Sequence, residues 1–387
     1  MKSSRQHADS SDAEGPLRRG DVAVGQVIGS FGGGGAQRLA YNVAVGVGDR
    51  GVRSLAVALR EAGSWAQESD PRVRSVALCA KSAGSVGMLR ALWRFRSIVK
   101  AERVGLLHVH GTGSLPFVAF ATLGLPNVRI AFTWQDSERV LHQRGWRRTM
   151  MVWALRRCAS VSGSCRKVAD KLRVGAGLKD VGIFHGGVPR TPEPARRPDA
   201  ERPGIVWIGR MVPPKDPQAL VRAAATLRDE GFHFSVDLVG KPIPSTQWYF
   251  DQTKELVAKL ALSDTVRTPG FLDDEAMHAL SMRSQIAVQT SHTEGLSIAL
   301  LEQMMAGMAI VATDVGDTSS AIRDGENGLL VPAHDPKALE DALRRLLGDS
   351  ALRRRLGAAA RESALSTYSL EAVADRALRE YERLVAA

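Results

Sequence analysis

Two glutamates stand eight residues apart in SHTEGLSIALLEQMMAGMAIVATDVGD, residues 291–317: Glu294, followed at once by Gly295, and Glu302, inside an apolar stretch that reads as a core helix. The N-terminus of such a helix offers unpaired N–H groups and a positive dipole end, which suit a diphosphate. A carboxylate at either end accepts hydrogen bonds from hydroxyls. With a helix starting near Leu296, eight residues at 1.5 Å rise cover roughly 12 Å, about the reach of a sugar, a diphosphate and a ribose. Gly295, Leu296 and Ser297 would then face the ligand. A surface helix with one wet face accounts for the same two residues, and the spacing alone does not choose.

Two cations bear on that choice. GIVWIGRMVPPKDP places Arg210 and Lys215 just after a short apolar strand. Cations at the carboxyl end of a strand neutralise a leaving diphosphate, arginine through its fork and lysine as a point charge. Two solvated surface cations remain the plain alternative.

The elements that must position these residues alternate along the chain. Short apolar runs (DVAVGQVIG, VGLLHVHG, VRIAFTWQD, the start of SVSGSCRKVADKL, VGIFHGGVP) are followed by helical patterns or by Gly/Pro stops. After the Pro/Arg/Ala-rich stretch RTPEPARRPDAERPG the alternation restarts with GIVWIGR, a helix over about 217–231, FSVDLVG, VRTPGFL, IAVQTS, the helix after Glu294, and AIVAT. Buried strands alternating with helices specify an α/β protein with doubly wound parallel sheets. Ligands of such sheets bind at the carboxyl ends of the strands, and a cleft between two such domains is the natural site.

Composition narrows the class. At 387 residues and 44% hydrophobic content, the chain suits two globular domains. Cys79, Cys158 and Cys165 form no CxxC or CxxH pattern, which argues against a disulfide framework or zinc site and fits a reducing cytosol. The polar start, residues 1–20, reads as a disordered lead and not as a signal peptide, and no apolar run reaches spanning length. Residues 1–199 carry 31 Lys and Arg against 15 Asp and Glu, the remainder 21 against 26. A basic half faces nucleic acid, an anionic membrane or a phosphate-bearing substrate. With 5% aromatics and no nucleic-acid signature, no nucleic-acid partner is expected.

The motifs together carry a resemblance. Arg210 and Lys215 after a strand, VGK (Val239–Lys241), PGFLDDEAM (Pro269–Met277) and EGLSIALLEQMMAGMAIVATDVGD resemble the signature of the retaining GT-B glycosyltransferases of group 1, with Glu294 and Glu302 as the Glu-x7-Glu pair. The likeness is strong over 204–335 and looser from about Val22 onward. It implies the GT-B fold: a disordered lead 1–20, an acceptor-side Rossmann-like domain 21–190, a linker 191–204, a nucleotide-sugar domain 205–365, and a terminal helix 366–387 crossing back to the first domain. It implies that Glu294 contacts the donor sugar, Glu302 the ribose, Arg210 and Lys215 the diphosphate, and backbone near Gly270 the base. SFGGGGAQR resembles the family's glycine loop, with Gly34 and Gly35 approaching phosphate or acceptor, and His110 in VHGTG matches a histidine near the donor sugar. A satisfied loop histidine is the other reading of His110, and His108 reads as structural.

Departures are visible too. IFHGGVP has Gly186 and Pro189 where the family has Asn and Asp, Lys215 is followed by Asp216 instead of glycine, and Gly316-Asp317 with Ser320 replaces a Gly-Gly with a downstream Glu. No Asp-x-Asp occurs anywhere, which fits a metal-independent enzyme with no cofactor. The implied activity is a retaining hexosyltransferase using a UDP- or GDP-sugar, with a glycan or lipid-linked acceptor of surface-polysaccharide synthesis. A sugar-nucleotide epimerase of the same fold and a non-catalytic partner subunit are the alternatives. MLRALWRFRSIVKAER (Met88–Arg103) and RGWRRTMMVWALRRC (Arg144–Cys158) each combine apolar side chains with clustered arginine. They fit either interfacial helices on an anionic membrane or core helices with a solvated cationic face. The expected location is cytoplasmic, extending to peripheral attachment at the inner face of the plasma membrane.

Overall fold

The computed structural model describes residue 17 and residues 20–31, 35–61, 70–78, 84–135, 145–191 and 202–387. The chain divides into two compact units. The first comprises 1–163, 168–186 and 373–387, and the second 164–167 and 187–372.

Unit 1 runs β1 (Ala23–Ser30), α1 (Gly35–Gly48), β2 (Ser54–Glu61), β3 (Val73–Ala77), α2 (Gly84–Ala101), β4 (Val104–His110), α3 (Leu115–Ala121), β5 (Arg129–Trp134), α4 (Trp146–Arg156), β6 (Ser160–Gly163), α5 (Arg166–Ala176) and β7 (Gly182–Ile183). The sheet is wholly parallel, in the order β3-β2-β1-β4-β5-β6-β7. β4 is buried at every position, the mark of a strand covered on both faces. Phe95, Val118, Phe132, Met151 and Leu155 fill one side of this core.

Unit 2 runs β8 (Gly204–Ile208), a 3-10 turn (Pro213–Lys215), α6 (Pro217–Asp229), β9 (Ser235–Val239), α7 (Gln247–Lys259), β10 (Val266–Gly270), α8 (Asp274–Arg283), β11 (Ser284–Gln289), α9 (Ile298–Met305), β12 (Ala309–Thr313), α10 (Thr318–Ala321), β13 (Leu329–Val331), α11 (Pro336–Gly348) and α12 (Ser350–Thr367). Its parallel sheet has the order β10-β9-β8-β11-β12-β13. In both sheets the strand order reverses at a central strand, β1 or β8, and a crevice opens at the carboxyl ends beside such a switch point.

The last helix, α13 (Leu370–Ala386), starts where Ser369 accepts the Ala372 N–H at 3.1 Å. Its stripe Val373, Ala377, Leu378, Tyr381 and Leu384 packs with Val24, Val43, Val47 and Leu106 of unit 1, spaced as one helix face requires. The sequence reading has one helix from Ser366; in the structure α12 occupies residues up to Thr367 and the break falls at Tyr368 and Ser369.

Three further differences have local causes. The expected strand 181–189 is only Gly182–Ile183 plus one bridge from Val188 to Ser369. A Cβ at Gly186 would lie 2.4 Å from a Leu39 methyl, so this backbone is pressed under α1 and leaves the ladder. SLAVALRE and VRSVA, not singled out as strands, are β2 and β3. The units divide at Gly186/Gly187 and Ala372/Val373 instead of 190/191 and 365/366. Residues 192–201 of the expected linker and most of the expected lead 1–20 lie outside the described residues.

Candidate active site

In unit 2 the strand ends converge because two glycines, Gly240 and Gly316, let backbone approach backbone. A Cβ at Gly240 would stand 1.8 Å from the Gly209 carbonyl oxygen, so only glycine fits, and its N–H donates to the Gly270 carbonyl at 2.8 Å. Gly209 and Met211 donate to the carbonyls of Val239 and Lys241 at 3.0 and 3.2 Å. Arg210, Lys241 and Gly270 therefore lie along the adjacent ends of β8, β9 and β10. Arg210 is exposed. Gly316 has φ +65, and a Cβ there would stand 1.8 Å from the Glu294 carbonyl oxygen. The Asp317 N–H donates to the Gly295 carbonyl at 3.1 Å.

The loop carrying Glu294 is tied to the turn carrying Lys215. The Thr290 hydroxyl accepts from the Trp207 indole N–H at 3.0 Å and lies 3.0 and 2.7 Å from the Lys215 and Asp216 carbonyl oxygens, to which it donates. The His292 N–H donates to the Pro214 carbonyl at 2.8 Å. Lys215 and Glu294 form an ion pair, both largely buried, and the Ser291 hydroxyl donates to the same carboxylate at 3.3 Å. Burial, and secondarily the Arg210 charge, hold Lys215 at about 8; the Glu294 carboxylate acts in the opposite direction.

Asp216 explains one departure from the resemblance. It adopts φ +42, ψ +58, a left-handed conformation that glycine takes without cost. Its carboxylate caps α6 by accepting the Ala219 N–H at 3.2 Å, meets His292 Nε2 at 2.9 Å and accepts from the Tyr249 hydroxyl at 3.3 Å. Asp216→Ala loses the cap, about 1 kcal/mol, and keeps the left-handed strain that wild type already carries. Asp216→Gly loses a few tenths for the cap and relieves that strain, about 1–2 kcal/mol. Urea denaturation should place Asp216→Ala about 1 kcal/mol below wild type and Asp216→Gly above Asp216→Ala.

α9 begins at Ile298, two residues later than the sequence suggests, with Ser297 as N-cap accepting the Leu300 N–H at 3.4 Å. Residues 294–297 are therefore loop, and the uniform helical rise between the two glutamates does not hold over that half. Glu302 is on the exposed face of α9, opposite the buried Leu300, Leu301, Met304 and Met305. Leu296 is half-buried and Gly295 exposed.

In unit 1, His110 ends β4 and is buried. Gln26 donates through Nε2 to the Tyr381 hydroxyl at 3.1 Å, which turns its carbonyl oxygen to His110 Nε2 at 2.7 Å. An amide oxygen only accepts, so Nε2 carries the proton and Nδ1 accepts from Gln135 at 3.2 Å. Burial pulls His110 down to about 3, so the ring is neutral. His108 bonds Tyr381 and Thr133 at 2.5 and 2.7 Å, and burial, then the neighbouring His110, push it well below the usual range. His110 borders a cavity of about 160 Å³ at the carboxyl ends of the unit 1 strands. Gly35 opens α1, and Gly34 lies outside the described residues.

Comparison with known proteins fits this geometry. The family model described as glycosyl transferases group 1 matches residues 192–363, and the glycosyl transferase 4-like domain matches residues 34–184. The chain belongs to the group 1 glycosyltransferases. Among group 1 relatives, a D-inositol 3-phosphate glycosyltransferase of Nocardia farcinica is 36% identical over 157 residues, covering 40% of this chain and 35% of the relative. The chain thus spans well under two thirds of such a curated relative. Among solved structures, a glycosyltransferase of Rickettsia africae superposes with TM-score 0.78 at 18% identity, covering 94% of this chain and 98% of its own. Anabaena Alr3699/HepE in complex with UDP gives TM-score 0.78 at 16% identity, covering 94% and 100%. At such identities the likeness is one of fold, and that fold is GT-B, two parallel α/β units.

Within this group 1 chain, unit 2 brings Arg210, Lys215, Gly270, Glu294 and Glu302 to the strand ends and to α9. Gly34, Gly35 and His110 belong to unit 1. Sequence reasoning missed Gln26, Gln135 and Tyr381 around His110, and Thr290 and His292 behind Lys215. Gln26 carries a readable signal: a polar residue at the centre of an apolar strand is costly unless bonded.

Proposed function

We propose that this chain transfers a sugar from a nucleoside diphosphate donor to an acceptor, with retention of the anomeric configuration and without a metal. The observation that carries this reading is the joined pair of loops that sets Lys215 against Glu294 beside Arg210 at the strand ends of unit 2. Arg210 and Lys215 neutralise the diphosphate, Glu294 accepts from sugar hydroxyls, and Glu302 accepts from the ribose. Gly295, Leu296 and Ser297 lead the phosphates toward the N-terminus of α9, and backbone near Gly270 reads the base. In unit 1, His110, as a neutral imidazole, is proposed to hydrogen-bond a sugar hydroxyl from the cavity it borders, and the glycine loop before α1, with Gly34 and Gly35, is proposed to serve phosphate or acceptor. The UDP complex of the HepE structure supports a UDP donor; a GDP donor is the other choice. The absence of Asp-x-Asp from the sequence, with two cations at the phosphate position, supports metal independence. Incubation with a panel of nucleotide sugars should release nucleoside diphosphate from one or a few of them. No release from any, with acceptor extracts present, overturns the reading.

The acceptor is proposed to be a glycan or lipid-linked intermediate met at the inner face of the membrane. No described helix is long and apolar enough to cross a membrane. α2 and α4 each pack beside α3, with inner faces in one core. Their outer faces expose Met88, Leu89, Trp93, Phe120, Trp146, Met150 and Trp153, Trp93 to 72% and Trp146 to 68%. None of the three helices contains an acidic residue. Arg90, Arg94, Arg147 and Arg148 stand exposed among the apolar groups, the composition of a surface that lies on anionic lipid. Arg96 differs from these four, because it donates to the Ala121 and Leu123 carbonyls at 2.6 and 2.8 Å and so closes the end of α3. Vesicles with anionic lipid should therefore sediment the protein at low salt and release it as salt rises. Arg94→Glu, Arg147→Glu and Arg148→Glu together should abolish the effect, while Arg96→Glu lowers stability instead. Equal binding to neutral vesicles counts against the membrane assignment.

A further inference from the structure

The cavity bordered by His110 has a property that neither the donor reading nor the membrane reading uses. It is lined by Gln37, Arg60, His110, Ser114, Gln135 and short stretches of backbone. Among the described residues Arg60 is its one charged side chain, with no carboxylate in the lining. Arg60 is the penultimate residue of β2, before Glu61, and is exposed. Its guanidinium leans over the turn after β4: a Cβ at Gly113 would lie 2.8 Å from Nη2. Any other residue at 113 would push the guanidinium away, so glycine makes its room. Ser114 is 4% exposed, lines the cavity, and its hydroxyl caps nothing on α3. Gln135 spends one N–H on His110 and has a second N–H to give. The histidine is neutral, so it neither repels Arg60 nor supplies charge. A guanidinium fork, a hydroxyl and amide N–H groups in a concavity whose described lining holds no carboxylate form a receptor for a phosphate monoester or carboxylate.

We infer that Arg60, with Ser114 and Gln135, binds an anionic group on the acceptor, so that the glycan or lipid-linked acceptor carries a phosphate monoester or a carboxylate. The inference rests on the transferase reading. The donor diphosphate already has its cations in unit 2, so the anion at Arg60 is a second one. At about 160 Å³ the cavity is below the size of drug-like ligand sites, which suits one charged group of the acceptor with a few neighbouring atoms. A carboxylated donor sugar would present the same chemistry from the other substrate, and the test separates the two.

Calorimetric titration with glycerol 3-phosphate and with glycerol, in the presence and absence of saturating UDP, reads the site directly. The phosphate ester should bind at least tenfold more tightly than glycerol, also with UDP present. Arg60→Gln should remove at least nine tenths of that preference, and Arg60→Lys should restore part of it. Lys215→Ala should weaken UDP and leave glycerol 3-phosphate binding unchanged, so failure of the donor reading and failure of the Arg60 assignment are seen in different titrations. The assignment is overturned if glycerol and its phosphate bind alike, if Arg60→Gln changes nothing, or if phosphate binding disappears only with Lys215→Ala. In turnover, Arg60→Gln should raise KM for anionic acceptors by ten- to a hundredfold; dependence on Arg60 only when the donor sugar is a uronic acid overturns the acceptor assignment.

Discussion

Lys215→Ala should lower turnover by about two to three orders of magnitude, the cost of removing one preorganised group from a position where charge develops. Arg210→Ala should act similarly through the same phosphates, and since Arg210 is exposed it is the cleaner control for folding. The lysine has a further signature in pH. Diphosphate binding needs the ammonium form, and Lys215 sits at about 8 because it is buried, with Arg210 adding to the effect. Donor KM should be flat below about pH 7 and rise as pH passes 8. Stability moves the other way. The unfolded lysine holds its proton to about 10.4, so between about 8 and 10 the unfolded chain binds more protons than the folded one, and stability rises with pH. Glu294→Gln removes the neighbour that favours the ammonium, so the rise in donor KM should begin at lower pH in that variant. Initial rates over pH 6–9.5 check this, and an alkaline limb unmoved by Glu294→Gln would sink the assignment of that limb to Lys215.

The fold class was legible because buried parallel strands have an obvious pattern: IVWIG, VDLVG and AIVAT are short, apolar and stopped by Gly or Thr. β2 escaped because SLAVALRE also fits a helical run, and only pairing with β1 and β3 decides. The candidate residues Arg210, Lys215, Glu294 and Glu302 stand out one by one in the sequence, but their arrangement does not. The contact between Lys215 and Glu294 joins residues 79 apart, and it exists because Thr290 and His292 fasten two loops through backbone carbonyls. Backbone acceptors leave no residue signature. Asp216 looked like a loss of glycine and is a gain of a cap and of two side-chain bonds. The state of His110 depends on a tyrosine 271 residues later, through Gln26, a relation that appears only when α13 is seated on unit 1.

The two glutamates should separate in kinetics, although they share a motif. Glu294 reaches its carboxylate to the end of β11 beside Lys215, where the sugar's reacting carbon must sit if the diphosphate lies on Arg210 and Lys215. Positive charge grows at that carbon in the transition state, and hydrogen bonds from the sugar hydroxyls to a carboxylate strengthen with it. Glu294→Gln keeps the shape and halves the accepting power, so kcat should fall about 10²-fold or more with a smaller change in donor KM. Glu302 is on the exposed face of α9, one turn beyond the N-cap Ser297, and the ribose it would meet does not react. Glu302→Ala should raise donor KM about tenfold, the loss of roughly 1.4 kcal/mol of binding, with kcat nearly unchanged. Attack on the same face, with the leaving diphosphate taking the acceptor proton, requires no protein base and gives an α-linked product from an α-linked donor. Proton NMR of the first-formed product reads the linkage, and a β-linked product defeats retention. Donor titrations of the two variants read the glutamates: equal losses of kcat in both would mean that Glu302 also answers charge at the reacting carbon, and the division of labour along α9 would be wrong.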